Sequence, residues 1–200
     1  NPGEDSIGRI AQRRITDSAR AYDPMAVLTH LSEVYQAGDS DLAWTRLTLW
    51  RTQLAALLEQ MPDSPVKRVV VWGSEKSPSV VLLGAWLGWK LEAEVHLATI
   101  GAAERGLYRV AIEREDGQTI MFRPGKNIAI IETPYTPDQQ IPLPVRTLAD
   151  CISEELRRLD PDTMYGEVLK SAFPTLEMHP AQCDAEPFLN TSEFPEVFDA

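Results

Sequence analysis

The apolar positions along the chain change period three times, and each change predicts a different kind of element. From Asp5 and Ser6 to Ile15, the apolar residues Ile7, Ile10, Ala11 and Ile15 recur at helical spacing behind capping side chains, which predicts a first helix. Asp23-Pro24 predicts a second, with proline at the first helical position, where its missing N–H costs nothing. Leu28, Leu31, Val34 and Tyr35 mark its inner side and Gly38 its end. A third, longer helix is expected from about Asp39 to Gln60, with Leu47, Trp50, Leu54, Leu57, Leu58 and Met61 in one stripe.

Past Pro62 and Pro65 the texture becomes that of a sheet. Val69-Val70-Val71-Trp72-Gly73 is a continuous apolar run, as expected of a strand covered on both faces. A helix apolar all round (Ser79–Leu91) and a second short run, Val95–Ala98, follow, so strand, helix and strand read as a right-handed parallel crossover. Tyr108, Val110 and Ile112 then alternate with other residues, Asp116-Gly117 marks a hairpin, and Ile120 and Phe122 resume the alternation. Pro124-Gly125 turns the chain into Ile128–Ile131, and two helices close the pattern, Thr147 to Leu159 and Pro161 to about Phe173, the latter capped by Asp160. The expected fold is therefore α/β: N-terminal helices over 1–61, then a mixed sheet with one parallel βαβ crossover, antiparallel strands and C-terminal helices over 66–173, all in one domain. Residues 174–200 read as an acidic tail with proline and phenylalanine, packed onto that domain through Phe188, Phe194 and Phe198.

Charge narrows the partners. The net charge is −11, and six of those negative charges lie in the tail, which has no lysine or arginine. Such a surface repels phosphate backbones and anionic lipid, which excludes nucleic acid and membranes as expected partners. The longest apolar run, Val80 to Leu91, is too short for the roughly 20 residues a membrane helix needs. Two cysteines far apart, Cys151 and Cys183, form neither a disulfide framework nor a paired metal site, and a reducing cytoplasm is the expected location. The opening Asn1-Pro2-Gly3, without an initiator methionine, reads as the start of a fragment.

Candidate chemistry is sparse. The loop Gly73–Ser79 carries Ser74, Lys76, Ser77 and Ser79 where a strand feeds a helix N-terminus, a place where an anion such as a sugar phosphate could sit, although Glu75 opposes one and the phosphate-loop spacing is absent. His30, His96 and His179 are scattered with no metal-binding spacing, so neither a metal nor a cofactor is expected. Glu155 falls within an apolar stripe formed by Cys151, Ile152 and Leu159, so its carboxylate needs an arginine, a rim position or a partner. Cys151 reads as a small buried hydrophobe. The segment from Asp41 to Arg51 concentrates Trp44, Arg46, Trp50 and Arg51, residue types frequent at binding hot spots, so Trp44, Arg46, Arg51 and Glu155 are the candidate partner contacts. Burial of the same residues against neighbouring elements is the competing reading.

Three segments carry a resemblance: Asp41-Leu42-Ala43-Trp44-Thr45-Arg46-Leu47-Thr48-Leu49-Trp50-Arg51, the stretch Pro78–Trp89 with its Leu-Leu-Gly-Ala-Trp-Leu core, and Glu154-Glu155-Leu156-Arg157-Arg158-Leu159-Asp160-Pro161-Asp162 followed by Tyr165-Gly166-Glu167. In sequence and order they resemble the OpcA glucose-6-phosphate dehydrogenase assembly proteins of actinobacteria and cyanobacteria, the actinobacterial form most. The resemblance implies a non-catalytic subunit that binds glucose-6-phosphate dehydrogenase and raises its activity, with a further N-terminal domain in the family's chain. A sugar-phosphate-binding enzyme or sensor built on the 73–79 loop is the alternative reading.

Overall fold

The computed structural model describes residues 5–61, 63–74, 76–98 and 106–180. The expectations for Asn1–Gly3, Glu75, Cys183 and the three tail phenylalanines lie outside them. A seven-stranded mixed sheet forms the frame, built from β3 (Val66–Trp72), β4 (Glu94–Ala98), β5 (Arg109–Arg114), β6 (Gly117–Phe122), β7 (Ile128–Glu132), β8 (Gln139–Pro142) and β9 (Met178–Pro180), in the order β8-β7-β6-β5-β3-β4-β9. β3 and β4 are parallel across α4 (Pro78–Leu91), β9 adds parallel to β4, and β3 through β5, β6, β7 and β8 are antiparallel. The mixed α/β architecture and its crossover are as the pattern predicts. The short strands β8 and β9 are not legible in the pattern: four and three residues are too few for alternation to show.

The central strands carry apolar residues on both faces for a reason. Val69 and Val71 point into the main core with Val80, Leu83 and Leu87 of α4, while Val70 and Trp72 pack on the other face with Ala98 and Ala111. α4 buries residues 78 to 87 without interruption, as its all-round apolar sequence requires. Each large side chain so buried contributes about 1.5–3 kcal/mol.

Three helices differ from the pattern. The stretch from Asp5 makes turns only, and β1 (Arg14–Thr16) pairs parallel with β2 (Asp39–Asp41), so Ile15 sits in a strand. Ile7 and Ile10 are exposed, so the helical spacing there marks no core face. Gly38 permits this pairing: its φ is +99°, and a Cβ would lie 2.2 Å from the Gln12 carbonyl oxygen. The long third helix is divided into α2 (Leu42–Thr45) and α3 (Thr48–Glu59). The division falls where the Thr45 carbonyl accepts from Arg146 and from the Thr48 hydroxyl. The last helix begins at α6 (Thr163–Glu167), capped by Asp162 rather than Asp160, and continues as a π-helical turn at Val168–Ala172. α1 (Pro24–Val34) starts at Asp23 as expected, its cap accepting from Ala26.

α4 approaches the sheet through Gly88, whose added Cβ would lie 2.5 Å from Val95 Cγ2 and 3.3 Å from the Ala93 carbonyl oxygen; at Gly84 the nearest atom is Val95 Cγ1, 3.2 Å away. Gly88→Ala should therefore destabilise the protein by about 1–3 kcal/mol. Gly84→Ala should be near neutral, because the modest crowding there offsets the helix-propensity gain of about 1 kcal/mol. Denaturant midpoints of the two variants check the contrast, and equal effects would contradict the packing described.

Candidate functional site

Two of the three resembling segments, 41–51 and 154–167, meet around two buried carboxylates, and the third joins them through the Ser79 hydroxyl on the Ala43 carbonyl. Asp41 is fully buried and caps α2, accepting from the Ala43 N–H at 2.8 Å. It accepts three further bonds: from the Thr16 hydroxyl at 2.6 Å, the Ser18 N–H at 2.9 Å and the Ser18 hydroxyl at 2.8 Å. The N-terminal strap, residues 13–18, is thereby fastened to the start of the tryptophan-bearing segment. Arg14 pairs with Asp39 beside it, and Arg46 holds Asp17 through two bonds of 2.7 and 2.8 Å. The hydrogen bonding to Asp17 holds the Arg46 guanidinium above its ordinary range, against the opposing effect of burial.

Glu155 is the second carboxylate, on α5 (Leu148–Arg157), and only 1% exposed. Arg13 reaches it at 3.0 Å, Thr45 donates its hydroxyl at 2.7 Å, and Arg13 also donates to the backbone carbonyls of Glu155 and Arg158. The arginine that a carboxylate in that position requires is thus supplied from the strap, 142 residues away in sequence. The stripe assigned to α5 needs correction. Cys151 and Glu155 form the buried side, while Ile152, Leu156 and Leu159 are exposed at 37%, 71% and 89%. Burial pushes the Cys151 thiol up from its ordinary value, as expected of an inert cysteine.

A chain of charged groups extends the network from residue 146 to residue 162. Arg146 pairs with Glu154 at 2.6 Å, Glu154 accepts from Thr48 at 2.8 Å, and Arg158 pairs with both Glu154 and Asp162. Asp162 accepts from the Trp44 indole N–H and the Tyr165 backbone N–H, each at 3.0 Å. Burial alone would raise the Asp162 carboxyl, but the Tyr165 N–H, Arg158 and the indole outweigh it and hold the carboxyl below its usual range. Trp44 is 1% exposed, packed against Tyr165 with ring centroids 6.0 Å apart and with the Arg51 guanidinium 3.8 Å above its ring. Burial draws Arg51 down to about 10.

Of the four candidate contact residues, Trp44 and Glu155 are interior, Arg51 is a mostly buried stacking partner, and Arg46 keeps 19% of its side chain exposed while paired with Asp17. Two of the candidate anion residues are engaged within the chain. The Ser79 hydroxyl is committed to the Ala43 carbonyl at 2.8 Å, and Ser74 Oγ accepts from the Lys76 N–H at 3.2 Å. Ser77 makes no side-chain cap bond, and Lys76 is exposed. The strand register also brings His96 opposite His179, rings 5.2 Å apart, with Glu94 3.0 and 3.6 Å from them. That juxtaposition depends on β9 and has no signal in the sequence. No group of three metal-binding side chains is arranged to hold an ion among the described residues, and no helix among them is long and apolar enough to cross a membrane.

Two outcomes test this network. Arg13→Ala should cost about 2–4 kcal/mol, because it strands the buried Glu155 carboxylate. The double variant Arg13→Met/Glu155→Leu should recover much of that loss, and a double-mutant cycle by urea unfolding measures both. Asp162 contributes stability that is present above the ordinary carboxylate value of about 4 and lost as pH falls through its lower folded value. The stability advantage of wild type over Asp162→Asn should therefore shrink on acidification below about pH 4, and an advantage that grows instead would contradict the geometry.

Comparison with known proteins follows the same residues. A solved structure of KijD10, a 3-ketoreductase from Actinomadura kijaniata, is similar at 10% identity and a TM-score of 0.42, covering 70% of this chain and 62% of that one. The chain thus spans less than two thirds of that protein, and the likeness is too slight to bear on function. No curated protein matches. The family model for the C-terminal domain of the glucose-6-phosphate dehydrogenase subunit matches residues 37–169, a stretch that contains α2 through α6, both buried carboxylates and all but the strap side of their network. The chain belongs to this family, that of the C-terminal domain of the glucose-6-phosphate dehydrogenase subunit.

Proposed function

We propose that this chain is a non-catalytic regulatory subunit that binds glucose-6-phosphate dehydrogenase in the cytoplasm and raises its activity. Membership of the subunit family is the observation that carries the reading. The chemistry of the site is consistent with it. Asp41, Glu155, Glu154 and Asp162 are each engaged by donors from this chain, and the arginines on the last three hold elements together. A protein of this kind acts by contact, shifting its partner between states through differential affinity.

Within that function, Trp44, Arg46, Arg51 and Glu155 serve the partner surface from beneath, by fixing the strap, α2 and α5 against one another. Trp44→Ala should then cost about 3–5 kcal/mol and abolish activation by unfolding the domain. Arg46→Ala should cost about 1 kcal/mol, since its pair with Asp17 is partly solvated, and activation should persist. Thermal melts and activation assays on both variants check this.

The decisive experiment adds the full chain to its cognate dehydrogenase and follows reduction of the nicotinamide cofactor. A rise in kcat/KM together with co-elution is expected. No change in either would refute the reading, as would turnover by this chain alone that disappears in Lys76→Ala.

A further inference from the structure

We propose that the outward side of α5 and of the residues just past its end (Ile152, Leu156 and Leu159) is the surface that docks onto glucose-6-phosphate dehydrogenase; this rests on the subunit reading above. α5 is an amphipathic helix packed with its polar side inward. Its buried positions are Cys151 and Glu155, Glu154 and the capping Arg158 are half-buried, and the three large apolar residues face out. With exposed Ala149, the outward residues recur at spacings of three and four, the spacing of a seam on which another element packs. An apolar helix face left exposed above a buried ion pair is costly twice over, which is the pattern of an interface rather than of a solvated surface.

The same helix is held rigid on every side but the exposed one. A capping box between Thr147 and Asp150 closes its start, Arg13 ties down two carbonyls near its end, and Arg146 and Arg158 brace it through Glu154. A face preorganised in this way loses little freedom on binding. The seam lies within the stretch that matches the family of dehydrogenase subunits, which points to the dehydrogenase as its occupant. The chemistry of that occupant follows from charge: a seam on a chain of net charge −11, bordered by Asp150 and Asp160 and a single exposed Arg157, fits an apolar surface set among basic residues.

The test uses the full chain, its cognate dehydrogenase, and the variants Leu156→Asp and Leu159→Ser, both at positions too exposed to be needed for folding. Each variant should keep the wild-type circular dichroism and Tm. Each should also bind the dehydrogenase with an apparent Kd raised, by about tenfold or more for Leu156→Asp, and should need correspondingly more protein to activate it. Wild-type affinity in both variants, with the wild-type chain itself binding and activating, would overturn the docking surface and leave the subunit reading standing. Failure of the wild-type chain to bind would overturn both. A wild-type dimer that Leu156→Asp converts to a monomer of unchanged affinity for the dehydrogenase would show a second copy to be the occupant and overturn the assignment.

Discussion

The ion pair between Arg13 and Glu155 decides how this end of the molecule is built. A buried carboxylate left alone carries a desolvation penalty of several kcal/mol, so some cation has to reach it. None on α5 itself is bonded to it; the guanidinium comes from the strap, with the Thr45 hydroxyl completing the shell. Meeting that requirement orients the whole helix. With Glu155 turned inward, Cys151 follows it one turn earlier, and Ile152, Leu156 and Leu159 are carried outward.

The second buried carboxylate, Asp41, works with the first. Four donors converge on it, three of them from Thr16 and Ser18 of the strap. The strap is therefore anchored on both buried carboxylates, Asp41 and Glu155, beside its pairs with Asp39 and Arg46. Trp44 is held in the same segment as Asp41, its indole bonded to Asp162 and its ring under Arg51. Hydrogen bonds of this kind, shielded from water, specify one arrangement more than they add net stability.

The dense charges of the motifs would suit catalysis equally well if read as composition alone. The geometry separates the two uses. Asp41, Glu154, Glu155 and Asp162 are each taken up by a donor from a different element, so the network holds backbone elements in register. Residues that hold the fold and large apolar residues left exposed are thus interleaved along and just past one helix, on opposite sides of it.

How much of this was legible in the sequence depends on the range of the interaction concerned. The central strands, the crossover helix α4, the cap at Asp23 and the hairpin near Gly117 follow from local pattern, because burial on both faces and turn chemistry leave their mark within a few residues. That Glu155 needs compensation was legible too, as an arginine, a rim position or a partner contact, since its carboxylate falls among apolar residues of the helical pattern. Which arginine answers it was not, because the partner lies 142 residues away and only tertiary structure brings it near. The same distance explains the misassigned face of α5: a helical period shows that two faces differ, and hydrophobicity assigns the apolar one to the core. Here the tertiary ion pair overrides that assignment. The division between α2 and α3 at Thr45 has a similar origin, in a carbonyl diverted to Arg146, 101 residues away in sequence. Local sequence determined the elements whose stabilising contacts are short-range or purely apolar; the tertiary structure decided every feature that rests on a buried charge finding its partner.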